Sequence, residues 1–216
     1  MKLGPTDCLL VIDVQHDFLP GGSLAVPDGD AILPGIRSLM IDSKDYGACV
    51  VVTQDWHPPG HWSFASTHSR APFEQIERCA TLQTLWPDHC VQGSRGAEIH
   101  ESIPTDIASI FLRKGCNLNV DSYSAFRENI DHKGERVPTG LAKMLKARNV
   151  KTVYCVGLAA DYCVKWSAID ASEAGFRSII LKDLTRAVDP DYKLEGKTSA
   201  ELFMHHQVFV ATSEES

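Results

Sequence analysis

Four short apolar runs each lead to a side chain able to do chemistry. Asp13 closes CLLVIDV, Asp55 closes ACVVVTQD, Lys114 closes IASIFLRK, and Cys163 follows TVYCVGLAAD. A thiol beside a carboxylate and an amine has the makings of a nucleophile with its base and a stabilising cation. A second grouping is Asp55-Trp56-His57, in which the outer two side chains share one face of extended backbone. With His61, His68 and His89 in the following loop, these donors suit one divalent transition ion, with zinc, iron or manganese all tolerable. His89, within WPDHC, is the expected third ligand; His61 is the alternative or an outer neighbour.

Cys163 is expected in the first turn of a helix from Tyr162 to Ala174, with Asp161 as N-cap and Gly175 just past its end. Unpaired N–H groups and the helix dipole favour an anion there, so a thiolate is expected. Lys114 would supply the cation and Asp13 the base, and the same N–H groups would hold an oxyanion. Taken singly, these residues have plainer readings: a core cysteine, a solvated lysine at a strand end, a capping aspartate. Convergence carries the argument.

Convergence needs elements to produce it. Short runs rich in Val and Ile, separated by helix-like stretches, read as buried parallel strands. Strands are expected to end at Asp13 and Thr53 and to cover Ile107–Leu112, Thr152–Val156, Arg177–Leu181 and Val208–Ala211. Helices are expected over Ala31–Ser43, Leu141–Arg148 with Thr139 as N-cap, and Ser199–His205. The pattern predicts an α/β fold: a doubly wound, mostly parallel six-stranded sheet with helices on both faces, forming one domain over residues 1–216. Ligands of such sheets bind beyond the carboxyl ends of the strands. Residues 56–103 and 115–138 show no clear period; three tryptophans argue that the first stretch is ordered.

Composition narrows the partners. A net charge of -7, with 21 scattered Lys and Arg, argues against nucleic acid and anionic membrane. No apolar stretch is long enough to cross a bilayer, and Asp7 and Asp13 interrupt the amino-terminal run, so a signal peptide is not expected and a cytoplasmic location is. Seven cysteines make a disulfide framework unexpected. A metal-dependent phosphohydrolase built on Asp13, Asp55 and the histidines would want a Gly-rich phosphate loop, which the chain lacks.

Together LLVIDVQHDFLPGGSLAV, TQDWHPPGHWSF, LWPDHCVQGSRGAE, RKGCNLNVDSYSAF and VYCVGLAADYCV resemble the nicotinamidase and pyrazinamidase group of the isochorismatase-like cysteine hydrolases, from about Cys8 to Ala187. The resemblance implies hydrolysis of nicotinamide to nicotinate and ammonia in NAD salvage, with pyrazinamide as a further substrate. It implies a triad of Asp13, Lys114 and Cys163, and one divalent ion, Zn2+ foremost, on Asp55, His57 and His89. Ser63 and His61 would belong to the surroundings of the ion. A cis peptide is implied at Leu158–Ala159, with the N–H groups of Ala159 and Cys163 as oxyanion hole. Phe18, Leu24, Trp86 and Tyr123 are the expected walls of a pocket for a flat pyridine amide. A homo-oligomer is compatible with all of this. The nearest rival is a related amidase of carbamoyl compounds; a catalytically silent binding protein is another. Members acting on isochorismate lack the thiol.

Overall fold

The computed structural model describes residues 1–79 and 81–214. β1 (Asp7–Ile12) leads through a turn-rich connection to α1 (Leu33–Asp45) and β2 (Cys49–Asp55). A surface hairpin of β3 (Gln75–Arg78) and β4 (Thr81–Thr84) precedes β5 (Ile110–Lys114). The chain continues through α2 (Leu141–Ala147), β6 (Thr152–Leu158), α3 (Cys163–Glu173), β7 (Arg177–Arg186), α4 (Lys197–His205) and β8 (Val208–Ala211).

Six strands form one parallel sheet in the order β5-β2-β1-β6-β7-β8. The chain builds outward from β1 through β2 to β5, then returns to β6 and builds the other way. The reversal lies between β1 and β6, and a crevice opens at such a switch point beyond the strand ends. Asp13 follows β1 and Cys163 follows β6 by a short loop. The two therefore meet.

β1 is apolar along its length because both its faces are covered. Leu9 and Val11 pack in one core with Ile36 and Met40 of α1. Cys8, Leu10 and Ile12 pack in the other with Leu141 and Leu145 of α2, Val164 and Ala168 of α3, and Phe203 of α4. This is the alternation of a strand with helices on both sides. Full burial of a Leu or Ile side chain contributes about 1.5–3 kcal/mol, so β1 is firmly anchored where Asp13 emerges. Gly157 of β6 has φ +106°, and a Cβ there would lie 2.1 Å from the carbonyl oxygen of Ile12. Only glycine lets β6 press so closely on the end of β1.

The expected six-stranded α/β sheet is present, with several boundaries moved. β5 begins at Ile110 because Thr105–Ile107 forms a 3-10 turn. β7 runs on to Arg186, past a register shift against β6 between Cys155 and Gly157. Asp161 does not cap α3: the cap residue is Tyr162, and the Asp161 carboxylate instead accepts hydrogen bonds from Val188 and Asp189 N–H at 3.0 and 2.9 Å. Gly140, not Thr139, caps α2, although Thr139 Oγ1 accepts from Leu141 N–H at 3.3 Å. All seven cysteines are free thiols. Among the described residues no helix is long and apolar enough to cross a membrane.

Candidate active site

Lys114, the last residue of β5, is wholly enclosed and reaches four groups. Its Nζ lies 2.8 Å from Asp13 Oδ2, 3.1 Å from Asp55 Oδ1, 2.8 Å from the Ser122 carbonyl and 3.5 Å from Cys163 Sγ. A buried ammonium is costly unless paired and hydrogen-bonded. Burial opposes its charge, but Asp13, Asp55 and Cys163 hold Lys114 well above the ordinary lysine value. It is a fixed cation.

Asp13 has φ +50° and no solvent exposure. Thr53, on the neighbouring strand, donates from Oγ1 to Asp13 Oδ1 at 2.6 Å and accepts from the Asp13 N–H at 3.1 Å. Apart from the Lys114 ion pair, Oδ2 has no hydrogen-bond partner among the described residues, so a lone pair remains to take a proton. Burial raises the Asp13 pKa above the usual aspartate value, against the pull of Lys114. Burial likewise pushes the Cys163 thiol well up, and Asp13 and Asp55 add to this while Lys114 opposes it. Desolvation thus works against the single cation at the sulfur, and a base beside the thiol serves its activation.

Cys163 is the first residue of α3, where the backbone N–H has no acceptor within the helix. The Leu158–Ala159 peptide is cis, as the resemblance implies. The Ala159 carbonyl turns away to accept from Tyr162 and Val164 at 3.0 Å each. Ala159 and Cys163 both line the cleft described below.

Asp55, His57 and His89 come together as buried donors whose ligand atoms lie within 4.8 Å of one another. His57 Nδ1 sits 2.9 Å from the Gly115 carbonyl, and His89 Nδ1 2.8 Å from the Pro87 carbonyl. A carbonyl can only accept, so each Nδ1 carries a proton and each Nε2 points inward. Both Nε2 atoms face Asp55 Oδ2, at 3.1 and 3.7 Å. Two nitrogen lone pairs aimed at one carboxylate oxygen repel it unless a cation, or a proton on His57, whose pKa Asp55 raises against burial, lies among them. The donor set therefore fits a divalent ion. Burial opposes ionisation of Asp55, yet His57 and Lys114 hold it well below the usual range. Gly115, at φ +66°, is required here, because a Cβ would come within 2.4 Å of His57 Cε1.

His61 is stacked on His57 with centroids 4.1 Å apart, and both its nitrogens are engaged, by Ser63 Oγ at 2.8 Å and the Val120 carbonyl at 3.2 Å. Burial, then the charge of His57, lowers its pKa to about 4, so it is neutral. His61 and Ser63 thus support His57 from behind. His68 instead contacts the Trp62 carbonyl at 2.7 Å and stands outside the donor set.

Beyond these groups opens a narrow cleft, with Phe18, Leu24, Trp86 and Tyr123 in its walls together with Asp55, His89 and Cys163. All four expected wall residues are there. Tyr162, Asp121 and Val188 line it too and were not foreseen. Adjacency to Cys163 was a usable signal for Tyr162. Asp121 and Val188 lie in stretches where no period ties a side chain to a face. Trp86, Tyr123 and Tyr162 form an edge-to-face aromatic group with centroids 4.7 to 6.3 Å apart.

Comparison with known proteins agrees with this geometry. The isochorismatase domain family matches residues 7–215. A nicotinamidase from Acinetobacter baylyi is 46% identical over 199 residues, covering 90% of this chain and 88% of that protein. A nicotinamidase and pyrazinamidase structure from Acinetobacter baumanii superposes with a TM-score of 0.87 at 41% identity, over 98% of each chain. A pyrazinamidase of Pyrococcus horikoshii solved in complex with zinc gives 0.76 at 32% identity, over 96% of this chain and 99% of that one. The chain belongs to the isochorismatase family.

Proposed function

We propose that this protein is an amidohydrolase converting nicotinamide and water to nicotinate and ammonia, with pyrazinamide as a second substrate. The observation that carries the reading is the Lys114 ammonium, within 3.5 Å of Cys163 Sγ and 2.8 Å of Asp13 Oδ2 at the sheet's switch point. In the proposed reaction Asp13 takes the thiol proton as Cys163 sulfur attacks the amide carbon. The carbonyl oxygen becomes an oxyanion, held by the N–H groups of Ala159 and Cys163. Asp13 passes its proton to the amide nitrogen, the C–N bond breaks, ammonia leaves and a thioester remains. Water then attacks the thioester, gives a proton to Asp13, and the acid departs as the thiol re-forms. Lys114 keeps Asp13 ionised for its role and steadies the thiolate formed in passing.

Asp55, His57 and His89 are the proposed holders of one divalent ion, zinc by the chemistry of the donor set and the zinc-bound relative. When bound, that ion would supply a Lewis-acid contact for the pyridine nitrogen and so orient the ring. Phe18, Leu24, Trp86 and Tyr123 would wall the ring in. The chain is read as one domain, which the continuity of its sheet supports.

Ammonia release from nicotinamide by the purified protein, compared with Cys163→Ala, tests the reading. Turnover by wild type and none by the variant is expected; a variant that still turns over overturns the covalent route. A wild type releasing ammonia only from carbamoyl compounds would favour the related amidases instead.

A further inference from the structure

The β3–β4 hairpin lies on the surface, with Leu82 69% exposed, yet Gln83 of β4 turns inward and is buried. Its Nε2 lies 3.0 Å from Asp121 Oδ2, 3.1 Å from the Tyr123 hydroxyl and 2.8 Å from the Thr84 carbonyl. Asp121 and Tyr123 both line the cleft beside Cys163. The Tyr123 oxygen also lies 3.2 Å from Trp86 Nε1, an indole nitrogen that can only donate. Trp86 thus donates to the phenol oxygen, while the two N–H groups of Gln83 are shared among that oxygen, the Asp121 carboxylate and the Thr84 carbonyl.

We propose that Gln83 is a positioning residue for substrate binding: through Tyr123 and Asp121 it fixes the polar groups on the ring side of the cleft. The inference rests on the nicotinamidase reading. Gln83 does not reach the Asp13–Lys114–Cys163 group, so its effect belongs to ring recognition and not to bond breaking. A flat aromatic amide needs few anchors, and each must be rigid. The hairpin, which carries little apolar burial of its own, is tied by this amide to two residues of the cleft wall.

Steady-state kinetics on nicotinamide with Gln83→Leu, Tyr123→Phe, the double variant and Leu82→Ala test the proposal. Leaving a buried acceptor without its donor is expected to raise KM about tenfold in Gln83→Leu, with kcat within about threefold. The double variant should cost about as much as either single one, because both act through the same hydroxyl. Leu82→Ala, on the same strand but facing water, should match wild type and controls for damage to the hairpin. Equal losses in Gln83→Leu and Leu82→Ala, a loss confined to kcat, or simple additivity with Tyr123→Phe would each overturn it. Wild-type protein inert towards nicotinamide would instead defeat the underlying functional reading. Direct titration of nicotinate by calorimetry would then still compare the four proteins.

Discussion

Lys114 Nζ lies 2.8 Å from Asp13 Oδ2 with neither side chain exposed to solvent, a buried ion pair joining the ends of two strands that are not neighbours in the sheet. Removing one member of such a pair strands a charge in a low-dielectric interior, at about 3–5 kcal/mol. Lys114→Met, which strands both Asp13 and Asp55, is expected to lose about that much stability in urea unfolding. Lys114→Met combined with Asp13→Asn should recover part of the loss without recovering activity. Equal stability of Lys114→Met and wild type would show that the pair is open to water.

The pH dependence follows from the raised Asp13. Asp13 must be ionised to accept the thiol proton, so kcat/KM falls as pH drops through its pKa, and that limb should lie above the usual aspartate value. Thr53 donates to the ionised carboxylate and thereby lowers the pKa, so Thr53→Val should move the limb to still higher pH. A pH–rate profile for both proteins measures this. A limb moving to lower pH in Thr53→Val would mean that another group governs it.

Gly115 is expected to matter for metal content although it offers no ligand. A methyl group at this position would collide with His57 and lie 2.8 Å from Asp55 Oδ1, on backbone with φ +66°. Gly115→Ala should weaken metal binding at least about tenfold, as disturbed supports of metal ligands do. Elemental analysis after dialysis against a graded chelator reads this directly. Full metal retention would place the ion elsewhere.

Metal removal should act on substrate binding more than on bond breaking. Protein stripped by chelation is expected to show a raised KM for nicotinamide, restored by one equivalent of Zn2+ per chain. His89→Ala should behave like the stripped protein and resist restoration. Unchanged kinetics after verified stripping would remove the orienting role of the ion.

Much of the fold and site was legible in the residues because buried parallel strands announce themselves. Cys8 to Ile12 and Cys49 to Asp55 are buried throughout, and each delivers its functional residue at the carboxyl end. The β3–β4 hairpin was not legible, since Gln75, Glu77, Thr81 and Leu82 all face water and the segment has no apolar stripe to set a period. Gln83 was hidden for the same reason. Asp161 misled because a capping residue and a loop-bracing residue look alike in sequence; only the return of Val188 and Asp189 reveals which it is. The burial of Cys163 was also beyond reach. A helix N-terminus and a lysine favour a thiolate, while the opposing effect, loss of water around the sulfur, exists only once the chain is folded.

The proposed reaction passes through a covalent bond between Cys163 and the acyl group of nicotinamide. Acid quenching of the enzyme during turnover, followed by intact-mass and peptide mass spectrometry, tests it most directly. A fraction of the protein should carry one nicotinoyl group on Cys163, removable by hydroxylamine and absent from Cys163→Ala. Unmodified Cys163 throughout steady-state turnover, with burst-free ammonia release and an alanine variant that still hydrolyses the amide, would contradict it.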